Sequence, residues 1–389
     1  MLFAESDVST IPIVLTLPSG LICPAWPKRP TSPHSPTRHQ QEVNHEFFAI
    51  IMLFSKNFVN LHTVMSTIAT IRTSLAPELE SINALMARSL HSPNQLINEV
   101  TRNYLRHKGK QLRPIMVILT ARMLGAHDLD KALTSAASIE MLHNASLIHD
   151  DVIDQSATRH GVDTINSVWD NHIAVLIGDY FVSTALQLVI STGDLRAIDT
   201  IASLGRLLAS GEMDQIDTAN NHTFSLEAYF NIITNKTASL FVACVEMGAY
   251  AACASEADLE TMREFARIFG QCFQIKDDIF DYFSSETLGK PTGNDLREGK
   301  VTLPLLYALS LSDHPLHSEM NALVDKNQLS DPEIATLIDF AVTAGGIGYA
   351  EDCMKSLRDK AAALLGQLST GADTAPLLTL LDYIIEREY

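Results

Sequence analysis

An all-α fold is predicted by three observations. From Met65 onward, long apolar-periodic segments rich in Ala, Leu, Ile and Met alternate with short polar breaks. No run of alternating Val, Ile and Thr bounded by hairpin turns occurs there. Two copies of one acidic pentapeptide, Asp150-Asp151-Val152-Ile153-Asp154 and Asp277-Asp278-Ile279-Phe280-Asp281, sit inside apolar stretches. At helical spacing the first and last carboxylate of each copy share one face, one turn apart. The expected architecture is a helical bundle with its site in the core between facing helices.

Residues 1–64 differ from the rest. Pro12, Pro18, Pro24, Pro27, Pro30, Pro33 and Pro36 crowd this segment, which forbids helix and leaves little to bury. It reads as a disordered extension, or as a mis-called start with Met65 opening the helical sequence. Glu5 and Asp7 count against a transit peptide. Residues 65–389 read as a single catalytic domain. Breaks fall at His91-Ser92-Pro93, Gly125 to Asp128, Thr192-Gly193-Asp194, Ala254-Ser255-Glu256 and Ser312 to Pro315, at helix or helix-pair intervals. Gly345-Gly346-Ile347-Gly348 has no preceding strand and no Lys-Ser/Thr, so it reads as a helix break rather than a nucleotide loop.

A net charge of −18 argues against nucleic acid, whose phosphates want Lys and Arg. Cys23, Cys244, Cys253, Cys272 and Cys353 lack metal-ligand spacing and read as reduced thiols of a cytoplasmic protein. No stretch reads as the run of ~18 apolar residues that a membrane span needs, so no stable membrane anchor is expected.

The acidic pentapeptides pose an electrostatic problem. Unpaired carboxylates in apolar surroundings cost several kcal/mol or take up protons. Two such sets call for cations between them. Hard oxygen ligands suit Mg²⁺, which usually completes its shell with water and substrate phosphates. Basic residues gather nearby. Lys110 and Arg113 open a helix before an apolar run and are suited to one diphosphate, Arg as a fork and Lys as a point charge. His143 lies two turns before Asp150, on the carboxylate face. Arg159 follows the first motif, Asn235-Lys236-Thr237 sits between the motifs, and Lys290 and Lys300 flank a Gly-rich loop past the second.

With these in place the chain resembles the trans-isoprenyl diphosphate synthases of the long-chain (octaprenyl or solanesyl) kind, from about residue 80 to the C-terminus. The marks are Gly-Lys-x-x-Arg-Pro at 109–114, Leu-Ile-His-Asp-Asp-Val-Ile-Asp at 147–154, Gly-Glu-Met-Asp-Gln at 211–215, Lys-Thr-Ala at 236–238, Phe-Gln-Ile-Lys-Asp-Asp-Ile-Phe-Asp at 273–281, and Gly-Lys-Pro followed by Gly-Lys-Val-Thr-Leu-Pro within 289–304. The resemblance implies an isoprenoid-synthase helical bundle with a central cavity, a homodimer, and elongation of an allylic diphosphate by isopentenyl diphosphate with Mg²⁺. It implies that Asp150, Asp151, Asp154, Asp277 and Asp278 hold Mg²⁺ against the allylic diphosphate, with Asp281 a weaker member. Arg159, Lys236 and Lys290 would touch that diphosphate, while Lys110, Arg113 and His143 hold isopentenyl diphosphate. Thr237 and Gln274 would steady the carbocation, and Lys300 would help close a C-terminal lid. The released diphosphate is the expected proton acceptor.

One departure stands out. The family usually shows Arg-Arg-Gly after the first motif; here it is Arg159-His160-Gly161. His160 carries at most a partial charge near neutral pH, so weaker binding of isopentenyl diphosphate is expected. Product length is read from Ala145 and Ser146, one turn before Asp150. Bulky side chains there would floor the cavity, whereas small ones let the product run deep between helices. Products of roughly six to ten isoprene units are expected from such a channel. Two competing readings remain, a class I terpene cyclase and a non-catalytic partner subunit. The first should lack Lys110, Arg113 and His143; the second should have lost an acidic motif.

Overall fold

The computed structural model describes residues 68–106, 109–159, 161–283, 292–369, 371 and 373–387. The expectations for residues 1–64, His160 and Lys290 lie outside them. The named helices are α1 (Ala76–Ser89), α2 (Gln95–Leu105), α3 (Leu112–Met123), α4 (Asp130–Ile153), α5 (Ile165–Val168), α6 (Asn171–Ser191), α7 (Leu195–Asn221), α8 (Leu226–Ile233), α9 (Ser239–Ala251), α10 (Glu256–Phe280), α11 (Asn294–Arg297), α12 (Leu303–Ser310), α13 (His317–Val324), α14 (Asp331–Thr343), α15 (Gly346–Leu365) and α16 (Ala375–Glu386). A five-residue π-helical turn, Thr234–Ala238, joins α8 to α9. Each predicted break falls between helices. Gly345, at φ +85°, starts α15, so the glycine run is indeed a helix junction. One small strand pair escaped the sequence reading: Thr158–Arg159 pairs antiparallel with Val162–Asp163 just past the first acidic motif.

Capping chemistry sets several helix starts. Asn94, Asp170, Asp194, Ser225 and Ser255 each accept a backbone N–H of the first turn of α2, α6, α7, α8 and α10. A Ser330–Glu333 capping box opens α14. The main core gathers Phe181, Phe241, Phe265 and Phe269 with the aliphatic faces of α3, α4, α9 and α10. A second cluster, around Leu305, Leu337 and Phe340, packs α12 to α14.

The expectation about apolar length needs correction at α6, which is long and apolar enough by composition to cross a membrane. In the fold its Ala174, Ile177, Phe181, Ala185 and Leu188 are buried core, so the same apolarity serves packing on α4. That packing is tight because of Gly178. A Cβ there would sit 2.1 Å from Nε2 of His149, the residue preceding the first motif.

Candidate active site

Both acidic motifs end a helix. Asp150 and Asp151 close α4 with Asp154 as its C-cap, and Asp277 and Asp278 close α10 with Asp281 as its C-cap. The helix dipole puts partial negative charge at those ends, so each motif is disfavoured twice, by burial and by the dipole. Burial first, then neighbouring Glu212 and Asp154, pushes Asp150 up to about 6, against the lowering pull of Lys236 and Arg159. Burial, with Asp277 and Asp281 nearby, pushes Asp278 up to about 7. Asp154, Asp277 and Asp281 are raised too, each chiefly by burial.

The six carboxylates divide by partner. Asp151 is buried and accepts from Nε of Arg159 at 2.8 Å, so the basic residue after the motif folds back onto it across the strand pair. Asp281 accepts from the backbone N–H groups of Asn294 and Asp295, both at 3.0 Å. Its carboxylate thereby starts α11, which fits a weaker part in holding metal. Asp278 is held from two sides. The Tyr229 hydroxyl donates to Oδ2 at 2.6 Å and Nε2 of Gln274 donates to Oδ1 at 2.8 Å. The Thr237 hydroxyl donates to Oε1 of Gln274 at 2.8 Å. A single polar chain thus runs from Thr237 through Gln274 to the second motif.

The π-helical turn presents Lys236 and Thr237. Such turns swell one turn of the helix and recur at functional sites. Two glycines make room for it: a Cβ on Gly211 would lie 2.7 Å from the Lys236 nitrogen, and one on Gly270 would lie 2.3 Å from the Ala238 Cα. Lys236 pairs with Glu212 at 2.5 Å and donates to Gln215 at 3.3 Å. These acceptors explain why the Gly-Glu-Met-Asp-Gln stretch at 211–215 accompanies Lys236. A cavity of about 110 Å³ opens here, lined by Lys236, Thr237, Gln274, Asp278, Asp295 and Lys300 among others.

Charge ties the parts together. Lys300 pairs with Glu298 and also acts on Asp154 and Asp295. Asp295 in turn acts on Asp278, so Lys300 stands electrostatically between the motifs. This places it on the cavity wall. At the C-terminus, Arg387 reaches the second motif. That residue pairs with Asp277, and its guanidinium lies 4.5 Å from the Phe273 ring centroid. Arg113 and Lys110 also act on Asp277. Lys110 lies 5.4 Å from the Tyr383 ring and Arg113 5.2 Å from the Phe241 ring. His143 is driven well below its usual range, by burial first and then by Arg113 and Arg159. It therefore stands as a neutral imidazole near pH 7, a hydrogen-bonding group rather than a charge. Ala145 is buried, and Ser146, half-buried, donates to the His143 carbonyl at 2.9 Å.

A family model for polyprenyl synthetase matches residues 94–340. This chain belongs to the polyprenyl synthetase family. It is 34% identical to heptaprenyl diphosphate synthase component 2 of Geobacillus stearothermophilus over 81% of its length and 97% of that protein's. It is 37% identical to the octaprenyl diphosphate synthase of Escherichia coli (strain K12) over 60% of its length and 72% of that protein's. Among solved structures, a polyprenyl synthase from Caulobacter crescentus complexed with calcium and isoprenyl diphosphate superposes with a TM-score of 0.74 at 30% identity. That match covers 82% of this chain and 96% of the other. The chain is accordingly an all-α prenyltransferase of the isoprenoid-synthase fold, and its chemistry is prenyl-chain elongation to long-chain prenyl diphosphates. The family uses isopentenyl and allylic diphosphates and is generally metal-dependent.

Reading the sequence missed Tyr229, Glu212, Gln215, Asp295, Arg387 and Glu140. Glu212, Gln215 and Asp295 fall inside the stretches that carried the resemblance, and their signal was polarity within those stretches; Glu140 lies outside them, three residues before His143. Tyr229 and Arg387 lie far along the chain from the motifs they touch and had no signal.

Proposed function

We propose that the chain condenses an allylic diphosphate such as farnesyl diphosphate repeatedly with isopentenyl diphosphate, using Mg²⁺, to a product of roughly six to ten isoprene units. The observation that carries this is the pair of buried acidic helix ends held unfavourably ionised on either side of Lys236 and Lys300. The donor set fits Mg²⁺: the acidic motifs offer carboxylate oxygens, and the raised affinity of Asp150 and Asp278 for protons marks a site short of positive charge. Among the described residues no three His, Cys, Asp or Glu side chains converge on one point. Water and diphosphate oxygens would complete each ion's shell. Asp150, Asp151, Asp154, Asp277 and Asp278 would hold the ions, which when bound neutralise charge developing on the leaving diphosphate.

This chain's own residues do the rest. Lys236, Arg159 and Lys300 orient the allylic diphosphate. Lys290 is assigned the same role by its motif. Lys110, Arg113 and neutral His143 hold isopentenyl diphosphate. The Thr237 hydroxyl donates a hydrogen bond to Gln274, which leaves its oxygen lone pairs free for the reacting carbons. That dipole steadies the allylic cation at no cost in reorganisation. The double bond of isopentenyl diphosphate attacks the allylic carbon, and the released diphosphate takes the proton lost. Helix walls exclude water from the cation. Ala145 and Ser146 leave the way open for a growing chain.

We also propose a homodimer. α6 exposes Leu176 and Ile190 (64% and 57%), with Val175 and Leu186 also exposed, and this apolar face suits a second copy of the chain. The cytoplasm suits the free thiols Cys244, Cys253, Cys272 and Cys353. The direct test incubates the purified chain alone with farnesyl diphosphate, isopentenyl diphosphate and Mg²⁺. Linear elongation supports the reading. A cyclic hydrocarbon would point to a cyclase, and no product to a subunit that needs a catalytic partner.

A further inference from the structure

Three hydrogen bonds stitch α10 to the segment that carries Lys236. Nε2 of Gln271 donates to the Thr234 hydroxyl at 3.0 Å, the Thr237 hydroxyl donates to Gln274 at 2.8 Å, and the Tyr229 hydroxyl donates to Asp278 at 2.6 Å. Positions 271, 274 and 278 follow one another at i, i+3 and i+7, so they share one face of α10. Their partners run through α8 into the π-helical turn without a break. The first two bonds fix the turn and the group that steadies the cation. The third ends on a motif carboxylate.

Packing alone does not call for the Tyr229 hydroxyl. The ring is buried and meets the Phe230 ring edge-on at 5.4 Å, a contact that phenylalanine would make equally well. The effect of the hydroxyl falls on Asp278. An ionised carboxylate has about two acceptor positions per oxygen. Tyr229 fills one on Oδ2 and Nε2 of Gln274 fills one on Oδ1. The carboxylate is thus gripped at both oxygens and cannot turn about its Cβ–Cγ bond without breaking a buried hydrogen bond. Acceptor capacity on each oxygen is left for a cation. The donor also has a suitable charge. A phenol keeps its proton to about pH 10, so it aims the carboxylate without discharging it. The guanidinium of Arg159 on Asp151, by contrast, supplies a counter-charge as well. Hydrogen-bond partners of a metal-holding carboxylate orient it in this way, and their loss costs about 10–100-fold in metal affinity.

We propose that Tyr229 is a positioning residue of prenyl-chain elongation, its hydroxyl fixing the Asp278 carboxylate for a cation and, through Gln274, holding it in register with Thr237. This rests on the reading of Asp278 as a holder of Mg²⁺. The test titrates Mg²⁺ into the full chain with a non-reacting allylic thiodiphosphate, followed by calorimetry, alongside steady-state kinetics. In Tyr229→Phe the Mg²⁺ concentration for half-maximal thiodiphosphate binding should rise about tenfold or more. At limiting Mg²⁺ kcat should fall, while KM for isopentenyl diphosphate stays near wild type. Phe230→Leu disturbs the same packing but keeps the hydroxyl, so it should lower the melting temperature and leave the Mg²⁺ midpoint in place. In an Asp278→Asn background, Tyr229→Phe should shift the midpoint no further, because hydroxyl and carboxylate act as one unit. Should Tyr229→Phe fail to fold, Tyr229→Met, which also lacks the hydroxyl and adapts to irregular space, carries the same test. An unchanged midpoint in Tyr229→Phe overturns the proposal. So does an equal shift in Phe230→Leu, or a further shift in the double variant. Thiodiphosphate binding by the wild-type chain without Mg²⁺ would instead sink the metal reading, and the proposal with it.

Discussion

Removing one acidic-motif charge should stabilise the metal-free enzyme while disabling it. Asp278 is buried, and in the fold its carboxyl is pushed up to about 7 from an ordinary value near 3.8. A raised folded value favours the protonated form. The associated stability is fully present below about pH 4, declines as pH rises, and is lost above about pH 7. A rise of about three pH units at ~1.4 kcal/mol each sets the loss on the order of 4 kcal/mol as an upper bound. Asp278→Asn cannot ionise, so it escapes that loss. It keeps an oxygen to accept from Gln274, while the Tyr229 hydroxyl must turn to accept from the new amide. Allowing about 1–3 kcal/mol for imperfect re-pairing, the net gain near pH 8 is about 1–3 kcal/mol. For a chain of this size that raises the melting temperature by roughly 1–4 °C. Scanning calorimetry in a chelator near pH 8 and near pH 4 measures it. The advantage of Asp278→Asn should be full at the higher pH and reverse at the lower, where only the re-pairing cost remains. A less stable Asp278→Asn protein near pH 8, or a gap independent of pH, refutes the reasoning.

Three further outcomes follow from the same site. Ala145→Phe or Ala145→Tyr should shorten the product, read by chromatography of dephosphorylated prenols; an unchanged chain-length distribution removes Ala145 as the floor. His160→Arg should lower KM for isopentenyl diphosphate by several-fold, the scale of one added charged contact, and an unchanged KM denies His160 that role. Gly270→Val should press on the Ala238 backbone beneath the π-helical turn, costing about 1–3 kcal/mol and depressing kcat as Lys236 and Thr237 shift. Wild-type kcat in that variant would show that the turn tolerates displacement.

Much of the fold was legible because helix periodicity and its interruptions are local. The breaks at His91, Gly125, Thr192, Ala254 and Ser312 all separate helices, since Gly, Pro and capping residues act on their own turn. The short Thr158–Val162 strand pair was invisible, being two residues long with no alternation to read. The apolarity of α6 was misjudged because sequence alone does not say which neighbour, α4 or lipid, an apolar face meets. Within the site, residues near a motif were found and those brought by topology were not. Tyr229 reaches Asp278 across 49 positions and Arg387 reaches Asp277 across 110. The cost of the motifs was foreseen from burial, but not that both would fall at helix C-termini, where the dipole adds to it. Lys300 was tied to a lid by the resemblance alone; the structure adds that its charge bears on Asp295 and Asp154.

The central claim is that the two acidic helix ends act as one metal clamp on one diphosphate. Calorimetric titration with a non-reacting allylic thiodiphosphate tests it most directly, with and without Mg²⁺, on wild type, Asp150→Asn and Asp277→Asn. The clamp predicts tight binding only with Mg²⁺ and a marked loss in either variant. Metal-independent binding, or loss confined to one motif, would contradict it.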